Sequence, residues 1–432
     1  MSGVPGAAPW RVMARLLMVK PIIPYPPDQG TRIVTLNLLR MLSRHFELGL
    51  ICGLPNKEDA VHADALRPYC RDVFTYLLPN RKSLAHRVLY RGLYTLKSSV
   101  RSFPLETYYC CPPELSRLVA QVTSASVYDM AQFEYWFTAP AARFARVYGK
   151  ALLEHDIDFL RFQRKLAVTD GFWRRRSIER TITAVKTREV RAYSEFDRVL
   201  TLSEADRVIV ERLSGIRGVA QYLPVMVDCD RFAPTTEPKV PSSIAFLGAL
   251  DADFNVDALE YFCGSIFPIV SSEVPQARLF IVGRRPPQQV MRLADGRRIF
   301  VSADVADVTQ HVGRCMVQVV PLRFGGGIRI RILEGMAMGM PIVSTTIGMD
   351  GIGARPGRDL LVGDNAEDFA ARVVEVLRSP LLAKRLGERA REFVVSEHSE
   401  PAVESRVVEI YSALKEQAEE NRRHIKSRTA DE

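Results

Sequence analysis

The stretch that most limits how this chain can fold is residues 321–348, PLRFGGGIRIRILEGMAMGMPIVSTTIG. Three successive glycines, Gly325, Gly326 and Gly327, lead into apolar residues at helical spacing: Ile328, Ile332, Met336 and Ala337. Gly339 and Pro341 end that run, and a short apolar segment, 342–344, follows. The order is loop, helix, return strand. Consecutive glycines let backbone N–H groups approach a ligand, and the first turn of a helix adds unpaired N–H groups at the positive end of its dipole. Arg329 and Arg331 place two cations in that turn, which is unfavourable for the helix itself. An anion such as a diphosphate is the expected compensation. Glu334, one turn further on, is placed to accept hydrogen bonds from a ribose diol. The same residues also fit a glycine-rich turn with solvated arginines.

The rest of the chain repeats the pattern. Residues 15–20 read as a buried strand, 31–45 as a helix and 48–52 as a second strand, the βαβ unit of a parallel sheet. No G-x-G-x-x-G accompanies it, so this is not a dinucleotide fingerprint. Further strands are expected at 73–78, 126–130, 151–154 and 198–202, with Ser203 capping a helix from Glu204. The series then restarts: strands at 243–247, 277–282, 299–302, 317–320, 342–344 and 360–362, a helix over 255–267, and helix almost to the end after Glu367. At 432 residues about two or three domains are expected. The pattern gives two α/β units joined through 221–234, with a ligand cleft at the carboxyl ends of their sheets.

Composition is that of a globular protein, 47% hydrophobic and 25% charged, and no apolar run has the length of a membrane span. Residues 1–12 read as a disordered leader rather than a signal peptide. Seven scattered cysteines without metal spacing suit reduced thiols in a cytoplasm. The net charge of +9 is uneven, with 33 Lys/Arg against 21 Asp/Glu in residues 1–218. Two basic stretches stand out. Residues 81–101 hold six Lys/Arg and no acid; 161–191 hold ten Lys/Arg and three acids, with Phe172 and Trp173 beside Arg174, Arg175 and Arg176. Both read as interfacial helices for an anionic membrane surface, or as ordinary solvated faces. No nucleic-acid reader fold accompanies them.

Several segments resemble a known family. YLPVMVDCDRFAP is similar to the interdomain segment of the retaining glycosyltransferases of family four (glycosyl transferases group 1), which have the GT-B fold. IAFLGALDADFNVDALEYF, IVGRRPP, the glycine loop with its helix, and PGRDLLVGDNAEDFA follow in that family's order; PYPPDQGTR and SEADR resemble its first loop and the last helix of its first domain. The resemblance implies an α/β GT-B fold, two Rossmann-like domains facing a cleft. A first, acceptor-side domain would cover 13–220, a donor domain 221–401, and a final helix of about 402–425 would cross back to the first.

The implied activity is transfer of a sugar from a nucleotide diphosphate sugar to a glycan or lipid-linked acceptor, with retention and no metal or other cofactor, in polysaccharide or glycoconjugate synthesis. It would take place in the cytoplasm, on the inner membrane face if the basic stretches dock there. Arg329, Arg331 and the amides of Gly325, Gly326 and Gly327 would hold the diphosphate, with Gly30 approaching from the opposing loop. Glu334 matches the second glutamate of the family's Glu, seven residues, Glu signature and would hold the ribose; Gly283 and Arg284, with 301–305, would line the base pocket. His155, in Glu154-His155-Asp156 at a strand end, would touch sugar or acceptor, with Asp156 as a weaker candidate. The sequence departs from the family in three places: the first signature glutamate is Gly326, the basic residue after the first strand of the second domain is Ala249, and a lysine shortly after it is lacking. A nucleotide-sugar isomerase or hydrolase, or a non-catalytic binding subunit on the same fold, are the alternatives.

Overall fold

The structure, a computed structural model, describes residues 13–79 and 110–430. The leader and the whole of the basic stretch 81–101 lie outside these residues. Among the described residues the strands are β1 (Arg15–Lys20), β2 (Glu47–Leu54), β3 (Asp72–Leu77), β4 (Met130–Glu134), β5 (Gly149–Glu154), β6 (Arg198–Thr201), β7 (Ala220–Tyr222), β8 (Ser243–Ala249), β9 (Arg278–Arg284), β10 (Ile299–Ala303), β11 (Val317–Val320), β12 (Ile342–Ser344) and β13 (Leu361–Val362). The longer helices are α1 (Gly30–Leu42), α2 (Pro113–Ala125), α3 (Asp158–Ala167), α4 (Phe172–Tyr193), α5 (Glu204–Ser214), α6 (Asp253–Tyr261), α7 (Ile330–Ala337), α8 (Ala366–Arg378), α9 (Pro380–His398) and α10 (Glu400–Ala430).

Two parallel sheets result, ordered β3-β2-β1-β4-β5-β6-β7 and β10-β9-β8-β11-β12-β13. The central strands are apolar throughout because helices cover both faces. Leu16 pairs with Leu48 on one side and Met130 on the other, and all three are buried. In each sheet the chain leaves the first strand one way and later returns on its other side, so the order reverses between β1 and β4 and again between β8 and β11. Open sheets of this kind bind ligands outside their carboxyl ends at such reversals.

Two expectations shift. The strand expected at 126–130 is β4, Met130–Glu134. Ser126 instead ends α2, its N–H donated to Val122 O at 3.0 Å, and Val127 is exposed. The segment expected as linker from 221 begins as an edge strand, β7, paired with β6.

Two crossings join the sheets and are tied together. Val227 N–H donates to His398 O at 2.8 Å, and buried His398 donates from Nδ1 to Val225 O at 2.7 Å. Beyond the second crossing, α10 lies on the first domain. Asn421 donates to Tyr148 O at 2.8 Å, Tyr411 Oη bonds Gln132, and Arg44 on the surface pairs with Glu400 and Glu404 at 2.7 and 2.8 Å. No helix among the described residues is long and apolar enough to cross a membrane.

Candidate active site

Both reversals open into one cavity of about 780 Å³, within the range of small-ligand sites. The first domain lines it with the loop after β1 (Asp28 to Thr31), Tyr135 after β4, and His155 and Asp156 after β5. The second domain contributes the turn after β8 (Gly248 to Asn255), Leu322 after β11, and the glycine loop with the start of α7.

The glycine loop is built by its own conformation and by two arginines. Gly325 and Gly327 have φ of 126° and 70°, which disfavour any side chain. Arg164, on α3 of the other domain, donates to Gly325 O at 3.1 Å. Arg329 Nη1 donates to Gly326 O and, at 2.8 Å, to Gly327 O. With these carbonyls engaged, the N–H groups of residues 325–329 find no acceptor among the described residues. Buried amides left unpaired are costly, and a run of them beside a helix start is an anion-binding arrangement. Neither α7 nor α1, whose first turns meet where Gly30 faces Ile330, has a side-chain cap or an acidic residue in its first turn. By contrast, α8 and α9, outside the cavity lining, are capped by Asn365 and Ser379.

The two arginines expected to act alike differ. Arg329 lies against Phe254, 5.1 Å from its ring, and no carboxylate among the described residues comes within ion-pair distance of it. Burial lowers its pKa to about 10, against Asp156, which raises it; it stays cationic at neutral pH. Arg331 is already paired with Glu334 at 2.6 Å. Glu334 is 3% exposed and does not line the cavity. The expectation of two unpaired guanidiniums with a separate ribose-binding carboxylate is corrected here: i,i+3 spacing on α7 brings Arg331 and Glu334 together. Gly325 also falls outside the lining; it shapes the loop, while Gly326 and Gly327 face the cavity.

The first-domain wall rests on a buried polar network. Lys20 and Glu134 end the adjacent strands β1 and β4, and Lys20 Nζ meets Glu134 Oε2 at 2.5 Å. Thr35 on α1 donates to the same carboxylate at 2.8 and 2.9 Å, and His155 Nε2 lies 2.7 Å from it. Burial raises the Glu134 pKa, but Lys20 and His155 outweigh it and hold the group down to about 2. An ionised Glu134 can only accept, so His155 carries its proton on Nε2. Burial lowers the His155 pKa, keeping it neutral, and Nδ1 is left a bare acceptor with no partner. The Tyr135 ring packs 4.8 Å from the imidazole. Asp156 follows, its carboxyl pushed up to about 7 by burial first and Asp158 second, against Arg161 and Arg329.

Basic α3 runs alongside. The stretch 161–191 is two packed helices, not one interfacial helix. Three of its cations face the cleft: Arg161 and Lys165 line the cavity, Lys165 pairs with Asp253 at 2.5 Å, and Arg164 pairs with Asp350 at 2.5 Å. At the start of α4, Phe172 and Trp173 are 71% and 81% exposed and contact each other edge-on at 5.2 Å. Gly283 and Arg284 line a small recess that Arg331 and Asp28 share with the end of β8, and Arg284 reaches Asp28 at 3.4 Å.

Lys20, Thr35, Glu134 and Tyr135 were not anticipated from the sequence. The available signal was polar residues ending two apolar strands, where an open sheet presents its ligand groups. Among the described residues no cluster of three or more His, Cys, Asp or Glu is placed to hold a metal.

Residues 241–379 match the sequence profile of the family described as Glycosyl transferases group 1. The segment runs from just before β8 through α8 and includes the glycine loop and α7. A Klebsiella pneumoniae protein described as an uncharacterised 44.6 kDa protein in a cps region is 21% identical over 409 residues, covering 91% of this chain and 99% of that protein. The sucrose-phosphate synthase of Thermosynechococcus elongatus superposes with a TM-score of 0.71 at 16% identity, over 93% of this chain and 99% of the other. Anabaena HepE, solved in complex with UDP and glucose, superposes with a TM-score of 0.64 at 13% identity, over 93% and 100%. The architecture is GT-B, two Rossmann-like domains facing across a cleft, and the matched segment carries the loop-and-helix wall of that cleft.

Proposed function

We propose that the chain is a glycosyltransferase that moves a sugar, with retention, from a nucleotide diphosphate sugar to a glycan or lipid-linked acceptor. The observation that carries this reading is the run of unpaired amides at residues 325–329, beside cationic Arg329, at the reversal of the second sheet. The group 1 match over this wall and the UDP and glucose bound to HepE support a nucleotide-sugar donor. The cps location of the Klebsiella relative supports an acceptor in polysaccharide synthesis.

The difficult part of the reaction is the charge that develops on the leaving diphosphate. The loop amides, the start of α7 and Arg329 are fixed before the reaction and need not reorganise, which makes such donors effective. Arg331 shares its charge with Glu334 and contributes less. Arg284 closes the base recess by reaching Asp28 across the cleft. In a front-face retaining reaction the leaving phosphate takes the acceptor's proton, so neutral His155 serves as an acceptor that orients hydroxyls rather than as the base. The protein donors neutralise the charge, so no metal is required. The test is turnover of UDP- and GDP-hexoses with and without a glycan acceptor, in chelator. Acceptor-dependent release of nucleotide, unchanged by chelation, is expected; hydrolysis without acceptor overturns the transferase reading.

The exposed Phe172, Trp173, Arg174 and Arg176 at the tip of the α3–α4 hairpin support docking on the anionic cytoplasmic face of a membrane, aromatics at headgroup depth. Co-sedimentation with vesicles of anionic lipid at low salt tests this; absence of binding ends it.

A further inference from the structure

We propose that Asp156, beside the bare Nδ1 of His155, binds hydroxyl groups of the sugar being transferred, and that position 326 is glycine because the Asp156 carboxylate occupies the space its side chain would need. This deepens the functional reading above and rests on it.

Three observations carry the proposal. A Cβ built on Gly326 would lie 2.5 Å from Asp156 Cγ and closer still to both oxygens, so the first domain places a carboxyl directly over the glycine loop. That carboxyl accepts no hydrogen bond from the described residues; the nearest cation is Arg161, 3.9 Å away. It lines the cavity next to His155, whose Nδ1 is buried and unpartnered. Asp156 and His155 thus offer two adjacent acceptors, with the cations of the same wall, Arg161 and Lys165, beside them. A carboxyl repels phosphate and accepts from O–H groups, so the ligand part that meets Asp156 is a polyol. The diphosphate lies on the donor-rich loop immediately beside it, and a sugar joined to that diphosphate reaches Asp156 without leaving the cavity. A carboxylate absent from the loop is thus supplied from across the cleft.

The experiment is calorimetric titration of wild type, Asp156→Asn and Asp156→Ala with UDP and GDP, and with the hexose conjugates of whichever binds. Loss of a hydrogen bond to a charged group is expected to weaken the conjugate about tenfold to a hundredfold while the bare diphosphate changes less than about twofold. Unaltered affinity for the conjugates overturns the proposal and leaves the donor site intact. Failure of every diphosphate to bind wild type defeats the functional reading itself, and this one with it. A second measurement needs no ligand. Gly326→Ala is expected to lower the melting temperature in wild type but not in the Asp156→Ala background, where the three atoms nearest the new methyl group are gone. Equal losses in both backgrounds refute the steric coupling.

Discussion

The glycine loop on one wall of the cleft and the His155–Asp156 pair on the other are opposite in hydrogen-bonding sign. The second-domain wall offers donors: the amides of 325–329, Arg329, and the first turn of α7. On the first-domain wall His155 Nδ1 and Asp156 offer acceptors, His155 held by Glu134 beneath it, with the cations Arg161 and Lys165 alongside. The donor wall is made locally, by residues within a few positions of one another. The acceptor wall is made at long range, from Lys20, Thr35, Glu134 and His155 on four separate elements. A ligand with an anionic end and a hydroxyl-rich end satisfies both walls at once. A purely anionic or purely polyol ligand satisfies one.

The comparison can be broken most severely at Lys20. Lys20→Met leaves Glu134 with less compensation in a fully buried site, and removing one partner of such a pair costs about 3–5 kcal/mol; urea unfolding measures it. The sign with pH follows from the depressed Glu134 pKa. The stability it contributes is present above the ordinary value of 4.5 and is lost as pH falls toward about 2. Wild type should lose stability over that window, and a variant lacking the pair should lose less. A cost below about 1 kcal/mol would mean that the network does not support the acceptor wall.

Next in size is the donor wall. Arg329→Ala is expected to reduce donor turnover by about a hundredfold to a thousandfold. Arg331→Ala should cost about tenfold, because Glu334 already offsets its charge. Equal effects would restore equal roles for the two arginines. Smaller again is the effect of Asp156 on the unliganded protein. Its carboxyl is raised from 3.8 to about 7 by burial, Asp158 and Asp206, against Arg161 and Arg329, with neutral His155 alongside. The folded state holds the extra proton between those values, so this group lowers stability as pH rises through the window. Asp156→Asn should therefore gain stability relative to wild type at pH 8 and lose that gain by pH 4. The smallest effect on catalysis is at the hairpin tip, where Phe172→Ser with Trp173→Ser should abolish vesicle binding and leave turnover of a soluble acceptor unchanged.

What could be read from the sequence follows the same division. The strands were legible because burial on both faces makes them unbroken apolar runs, and the glycine loop was legible because its parts are contiguous. Ser203 caps α5 as its position before Glu204 indicates, its Oγ accepting from Asp206 N–H at 3.0 Å. The acceptor wall was not legible: Lys20 and Glu134 are separated by 114 positions, and nothing local marks either as paired. The basic stretch was only half legible for a related reason. Its charge count is correct, but Arg164 is answered by Asp350, 186 positions away, and only the folded chain shows that α3 faces the cleft and leaves the start of α4 to the surface. Gly326 read as a lost carboxylate because the group above it, Asp156, comes from the other domain.

The central claim is that the amides of 325–329 and Arg329 form a diphosphate site. Calorimetric titration of UDP and GDP into wild type and Arg329→Ala tests it most directly. One of the two nucleotides should bind wild type at a single site per chain, and that binding should be lost in the variant while its melting temperature stays close to wild type. No binding of either nucleotide to wild type, or equal affinity in the variant, would contradict it.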